Sequence, residues 1–183
     1  FGACPHCAGL GTQMKISPEL VVDFKKSLNE GAVMAMGWGN ADNSESVSYM
    51  YFTALAKHYG FSLDTPLCDL PDEIVDILLY GTKGEKLDLS YERSYGNAHY
   101  KAAFEGIINN LERRYNETSS EFMKAEYEKL MSFTRCPVCH GKRLKPEPLA
   151  VTVGGLNIWE LTQLSVLDCR RFFAGLTLSE RDM

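Results

Sequence analysis

The sequence predicts an α+β chain. Mixed helices and short antiparallel hairpins form an inserted domain, hung from a four-cysteine knuckle module. Three observations predict it. Cys4-Pro5-His6-Cys7-Ala8-Gly9 and Cys136-Pro137-Val138-Cys139-His140-Gly141 stand near opposite ends of the chain, with 128 residues between Cys7 and Cys136. Between them, apolar residues recur at helical spacing in several segments. Elsewhere apolar and polar residues alternate ahead of a Gly-Asn turn, as in a half-buried hairpin.

Each knuckle brings two thiolates to one metal from a single tight turn. The glycine two residues after the second cysteine lets the chain turn back, so that amides face the sulfurs. Two such knuckles complete a Cys4 shell for one structural Zn2+, with Cys4, Cys7, Cys136 and Cys139 as ligands. Six cysteines also allow three disulfides or a redox role, but four of them fall in matched knuckles, which favours the metal. His6 and His140 occupy non-ligand positions, since the cysteines already fill the shell. Cys68 and Cys169 lie in apolar sequence and read as buried small hydrophobes. Thiols kept for a metal imply a reducing, cytoplasmic compartment.

The elements follow in chain order. Gly9-Leu10-Gly11 is a turn. Ile16 to Val22 reads equally as a short strand or a helix start. Leu28 to Asn43 is rich in Gly and Asn and reads as a loop. Val47 to Tyr59 is an amphipathic helix with Val47, Met50, Tyr51, Ala54, Leu55 and His58 on one stripe, closed by Gly60. Leu70 to Tyr80 is a second helix, with Pro71 in its first turn and Gly81 as its stop. Leu87, Leu89 and Tyr91 mark a strand, Gly96-Asn97 a turn, and Ala98 to Phe104 the return. Phe104, Ile107, Ile108, Leu111 and Tyr115 form one helical face. Thr118 and Glu121 have capping-box spacing, so a helix is expected from Ser119 to about Ser132. Leu149 to Val153 reads as a strand, Gly154-Gly155 as a hairpin turn and Leu156 to Trp159 as the return. Ser165 caps a last helix, Val166 to Ala174, stopped by Gly175.

These boundaries divide the chain into a first knuckle (1–11), an insertion domain (12–134), and a second knuckle with a following segment (135–183). The chain opens at Phe1-Gly2, straight into a knuckle, and reads as a fragment of a longer protein. No run of 18 apolar residues is present, so no membrane span or membrane partner is expected. There is no Gly-x-x-x-x-Gly-Lys-Ser/Thr loop and no Gly-x-Ser-x-Gly elbow. Gly81-Thr82-Lys83-Gly84 is too short to cradle phosphates. No catalytic residue is assigned.

The net charge of −5 speaks against a uniformly basic coat for nucleic acid. Residues 12–134 hold 12 Lys and Arg against 19 Asp and Glu. By contrast Arg135, Lys142, Arg143 and Lys145 crowd the second knuckle with no acid among them. Tyr91, Arg93, Tyr95, His99, Tyr100, Lys101 and Phe104 interleave rings with cations, as a base-stacking and phosphate-pairing face would. An ordinary hairpin with tyrosines on a half-buried face fits them slightly better. Arg113 and Arg114 either bind phosphate or solvate their helix. Trp38 either stacks on a base or plugs the core.

Gly2 to Gly11, Phe104-Glu105-Gly106-Ile107-Ile108-Asn109-Asn110-Leu111-Glu112-Arg113-Arg114-Tyr115 and Cys136 to Leu144 together resemble the UvrA family. These proteins are the damage-recognition subunits of the bacterial excision-repair nuclease. The likeness runs in order over nearly the whole chain. It implies an ABC-type ATPase that dimerises, scans double-stranded DNA for lesions and loads the partner UvrB. This segment then corresponds to the insertion domain of the first half, hung from a zinc module of the signature domain. Leu149 to Phe173 resembles the stretch leading toward the ABC signature. The ATP and Mg2+ sites of the family lie outside this chain, so the segment alone is not expected to hydrolyse ATP. The insert's acidity departs from a broad DNA-gripping face. The DNA-binding residues expected are therefore a local set: Arg93, Lys101, Arg113, Arg114, Arg135, Lys142, Arg143 and Lys145.

Two other classes fit some of the residues. Cys4 to Gly11 matches the Cys-x-x-Cys-x-Gly-x-Gly repeat of the DnaJ co-chaperones, which use four such repeats in a short span. An insert that contacts UvrB or a second copy, without touching DNA, fits the acidic balance.

Overall fold

The computed structural model bears out the α+β class, with helices alternating with short paired strands. It describes residues 1–38, 46–93 and 96–177, the side chains of 91–93 and 96–98 excepted. Residues 39–43 of the expected loop, and Tyr95, lie outside the described residues.

Strand β1 (Thr12–Ile16) runs into helix α1 (Pro18–Val21). The ambiguous stretch Ile16 to Val22 therefore ends a strand and starts a helix, with Pro18 in the first turn where its missing N–H costs nothing. Helix α2 (Val47–Tyr59) starts where Ser46 accepts from the Tyr49 amide and stops at left-handed Gly60. Its buried face differs from the expected stripe. Phe52 is fully buried, Val47 is exposed, and His58 reaches out to Glu85. A single 3-10 turn, Leu67–Asp69, precedes α3 (Asp72–Tyr80). Cys68 stands exposed in that turn, so it is not the buried hydrophobe its neighbours suggested. Cys169 is half-buried.

β2 (Lys86–Arg93) and β3 (Gly96–Ala103) form the expected hairpin, in antiparallel register from Lys86 opposite Ala103 to Arg93 opposite Gly96. Leu87 and Leu89 point into the core. Helix α4 (Ile107–Glu117) begins three residues later than its apolar stripe suggests. Gly106, at φ 92°, separates Phe104 from the helix, and Phe104 packs as a core ring instead. Helix α5 (Glu121–Glu128) is capped by Ser120 rather than Thr118, and it ends earlier than expected. The apolar run that follows is strand β4 (Met131–Arg135), which pairs with β1. The Ser17 amide donates to Leu130 and the Cys136 amide to Gly11, so the two strands are antiparallel.

The last segment departs most from its sequence reading. Pro146 and Pro148 start a short helix, α6 (Pro146–Ala150), where a strand was expected. The hairpin shrinks to β5 (Thr152–Val153) and β6 (Leu156–Asn157). Asn157 and Glu160 then form a reciprocal capping box that opens α7 (Ile158–Gln163). Helix α8 (Val166–Ala174) is capped by Ser165 and followed by Gly175, as expected.

Contacts divide the chain into two units: Phe1–Met14 with Phe133–Met183, and Lys15–Ser132. The insert unit holds a continuous apolar core, in which Leu28, Phe52, Leu55, Leu87, Leu89, Ile107 and Leu111 are fully buried. Trp38 is a core plug here. Its ring lies 5.8 Å from Phe52 and 5.8 Å from Phe104, edge-on to the latter. The other unit is built differently. Among its described residues, the buried hydrophobic ones are the four knuckle cysteines alone.

Candidate metal centre and nucleic-acid interface

Both knuckles fold the same way, because both sequences ask for the same backbone. Ala8 and His140 each follow the second cysteine and each has φ 49°. Gly9 and Gly141 come next, at φ 80° and 84°. Two residues further on stand Gly11 at φ 79° and Arg143 at φ 68°. Gly11 sends its amide to the Cys7 sulfur at 3.2 Å. The Arg143 amide lowers the Cys139 thiol in the same way. Backbone bonds tie one knuckle to the other. Cys4 donates to Arg143 at 2.8 Å, Lys145 to Gly2 at 2.9 Å, and Cys136 to Gly11 at 2.9 Å.

The result is a closed cage of four buried sulfurs, all within 4.8 Å of one another. The Cys7 and Cys139 sulfurs are 3.6 Å apart. A tetrahedral ion with metal–sulfur bonds of about 2.3 Å needs sulfurs about 3.8 Å apart, so this donor set fits one metal ion. His6 and His140 stand outside the set. Burial pushes the Cys7 thiol up, but the Gly11 amide and the neighbouring sulfurs outweigh it and bring the group down to about 7. Burial prevails at Cys139, which is pushed up to about 11.

Beside the cage lies a groove of about 730 Å³, walled by Arg135, His140, Lys142 and Arg143 on one side and by Trp159 and Gln163 on the other. Lys142 Nζ stands 5.2 Å from the centre of the Trp159 ring. Among the described residues no carboxylate lies within ion-pair distance of Arg135, Lys142 or Arg143. Three cations with no carboxylate partner among the described residues make a local positive potential. Arg143 holds its left-handed backbone at the place where the first knuckle uses glycine, a conformation that carries a steric cost for a residue with a Cβ. Lys145 is half-buried and does not line the groove.

The expected DNA-binding residues of the insert unit are differently placed. Lys101 is exposed on β3 and pairs with Asp88 at 3.3 Å. Arg113 is held by Glu105 at 2.9 Å and Glu117 at 2.8 Å, which keep its guanidinium charged and engage its Nε, Nη1 and Nη2. Arg114, one position on, touches no carboxylate among the described residues and leans over Gly37. The Arg93 side chain lies outside the described residues; its backbone ends β2 opposite Gly96. His99 and Tyr100 are exposed on β3. Sequence reasoning missed Trp159. Its signal was the capping box at Asn157, which opens α7 and sets the ring on the helix's first turn.

Comparison with known proteins agrees with this architecture. The family described as the UvrA DNA-binding domain matches residues 18–129. UvrABC system protein A of Clostridium perfringens is 47% identical over 100% of this chain and 19% of its own length. Its counterparts from Bacillus subtilis and Deinococcus radiodurans are 41% and 42% identical, also over 100% of the chain. This chain thus spans about a fifth of the length of these relatives. The crystal structure of UvrA2 from Deinococcus radiodurans superposes with a TM-score of 0.61 at 26% identity, over 94% of this chain and 22% of that one. By the match of its insert and the full-length similarity, this chain belongs to the UvrA family.

Proposed function

We propose that the chain is the DNA-contacting insert of an excision-repair damage sensor, with residues 12–134 as the insert. The four cysteines hold one structural Zn2+ at its neck. Zinc suits them because it favours four thiolates in a closed tetrahedral shell. The groove of Arg135, Lys142 and Arg143 carries the reading of DNA contact. It concentrates cations that no carboxylate pairs among the described residues, in a chain of net charge −5, and it keeps an arginine where the backbone would sooner have glycine. Phosphates are the ligand such a groove suits, and phosphate contacts position a protein on DNA without reading sequence. Arg114 is the corresponding cation of the insert, while Arg93, Lys101, Arg113 and Lys145 supply weaker attraction around these sites.

The parent protein is an ABC-type ATPase acting as a dimer with UvrB on damaged double-stranded DNA in the cytoplasm. Its ATP and Mg2+ sites lie in other segments, and this chain hydrolyses no ATP by itself. Among the described residues no helix is long and apolar enough to cross a membrane.

The test is titration of the chain with a lesion-bearing duplex over a series of salt concentrations. Each phosphate contact adds about 0.9 to the slope of log affinity against log salt. Lys142→Glu and Arg143→Glu should each weaken binding and flatten that slope. Unchanged affinity and slope in both variants would remove the groove from the DNA interface. The 19 acids of residues 12–134 favour a second reading, an insert that docks on UvrB or a second copy. Crosslinks from the insert to protein and none to DNA, in the assembled complex, would establish that reading instead.

A further inference from the structure

The insert unit contains a recess of about 660 Å³ between the segment ending at Trp38, the start of α2 and the outer face of α4. Two residues of its lining, Trp38 and Asn110, each carry a buried polar atom with no hydrogen-bond partner among the described residues, Nε1 and Oδ1. Trp38 is only 6% exposed. Asn110 is fixed in orientation: its Nδ2 donates to Glu105 at 2.9 Å, and Arg113 clamps the same carboxylate. The amide therefore cannot rotate to hide its oxygen without losing that bond. Buried polar groups almost always find partners, so a donor and an acceptor left unpaired on two residues of one recess point to a ligand.

Other features define that ligand's chemistry. Arg114 lines the recess with no carboxylate in contact among the described residues, and its Nη1 would lie 3.0 Å from a Cβ placed on Gly37. Glycine there makes room for the guanidinium. Helix α2 begins at the recess with Ser46, Val47 and Ser48, and its first turn carries no acid. A helix N-terminus and an arginine together favour an anion. Met34 and Met36, 56% and 53% exposed, give the mouth an adaptable apolar wall, and Tyr51 adds a ring.

We propose that this recess takes one unpaired nucleotide of a DNA strand. The phosphate rests on Arg114 and the first turn of α2. The base lies against the methionines and Tyr51, and its edge, which carries donors and acceptors side by side, answers Trp38 N–H and Asn110 Oδ1. A bare phosphate would leave the Asn110 oxygen open, and an apolar ligand would leave both atoms open. All these residues fall within the stretch that matches the UvrA DNA-binding domain. The proposal rests on the reading that the insert contacts DNA. It adds that the insert selects strands with an extrahelical nucleotide, the state in which stacking has already been lost.

The experiment compares three ligands on the native chain: a duplex with a single-nucleotide bulge, the same duplex fully paired, and free dAMP. Affinity and tryptophan fluorescence are both read. The bulged duplex should bind about tenfold more tightly than the paired one, a preference worth one base–aromatic contact. Asn110→Ala should erase the preference while paired-duplex binding persists. Arg114→Gln should erase it too, and should weaken both duplexes by loss of one phosphate contact. Both alter partly solvated side chains, and an unchanged circular dichroism spectrum checks their fold. Lys142→Glu should weaken both duplexes by a common factor and keep the preference. Equal affinity for the two duplexes, or a preference that survives both recess variants, overturns the proposal and leaves the groove's DNA contact standing. Free dAMP binding as tightly as the bulged duplex would make this a mononucleotide site and overturn the assignment to DNA. If neither duplex binds, the DNA-contact reading falls with it.

Discussion

Gly81 and Gly106 meet backbone against backbone where α3 ends and α4 begins. A Cβ on Gly106 would collide with the Tyr80 carbonyl carbon and the Gly81 nitrogen, and one on Gly81 with the Phe104 and Glu105 carbonyl groups. Both glycines also have positive φ, 90° and 92°. The close approach lets Thr82 donate to the Phe104 carbonyl at 2.9 Å and Asn109 reach the Tyr80 carbonyl at 2.8 Å. Gly106→Ala meets both penalties, the conformational and the steric, and should cost about 3 kcal/mol or more of stability. Gly31→Ala is the control. Gly31 has φ 78° but nothing within 4 Å of its added Cβ, so only the conformational part, about 1 kcal/mol, applies. Urea unfolding of the two variants separates the terms. Equal losses would mean that the backbone contact relaxes freely.

That junction also explains where the sequence misled. Phe104 has perfect helical spacing with Ile107, Ile108 and Leu111, so periodicity absorbs it into α4. The break is imposed by Gly81, a partner 25 residues away that no local window contains. Met131 to Arg135 failed for a similar reason. Its apolar residues continue the pattern of α5, and only pairing with β1, far off in sequence, makes it a strand. What local chemistry alone decides was legible: α2 between Ser46 and Gly60, α8 after Ser165, and both knuckles. The Asn157–Glu160 box was equally local and equally legible, but the glycine pair before it favoured a longer hairpin. At the candidate site, ligand spacing pointed to the metal cage. Counting cations could not say that Arg113 is held by two carboxylates while Arg114 meets none among the described residues.

The Glu105–Arg113 pair links stability to acid. The Arg113 guanidinium, with help from Asn110, holds the Glu105 carboxyl below its ordinary value of 4.5. A lowered carboxyl stabilises the fold above its unfolded value, and that contribution disappears as pH falls through the folded one. Stability should therefore drop on acidification below about pH 4.5. Glu105→Gln should show a shallower drop over the same window. Both side chains are more than a third exposed, so screening keeps the effect small and salt-sensitive. Urea midpoints of the two proteins from pH 6 to pH 3 check this, and parallel curves would unlink Glu105 from the acid transition.

Metal removal should act on one unit and spare the other. In the knuckle unit the cysteine cage replaces an apolar core, whereas the insert has a continuous one. Small modules of that kind draw their folding energy from the ion. One zinc per chain is expected by elemental analysis. A strong chelator should expose Cys4, Cys7, Cys136 and Cys139 to a thiol reagent, while helices α2 to α5 keep their circular dichroism. Cys136→Ser should do the same without chelator. Zinc-free protein whose four cysteines stay unreactive would show that the cage needs no ion.

Arg143 separates stability from binding. Its φ of 68° matches Gly11 in the first knuckle, so glycine fits that backbone without the Cβ clash. Glycine's greater freedom in the unfolded chain offsets part of the relief. Arg143→Gly should therefore leave the knuckle unit unchanged in stability or raise it by up to about 1 kcal/mol. The same substitution removes one of three cations from the groove, so DNA affinity should fall and the salt slope should flatten by roughly one phosphate contact. An ordinary structural arginine would behave in the opposite way, losing stability and sparing DNA affinity. Thermal melting and salt titration of this one variant thus decide why the second knuckle keeps an arginine where the first has glycine.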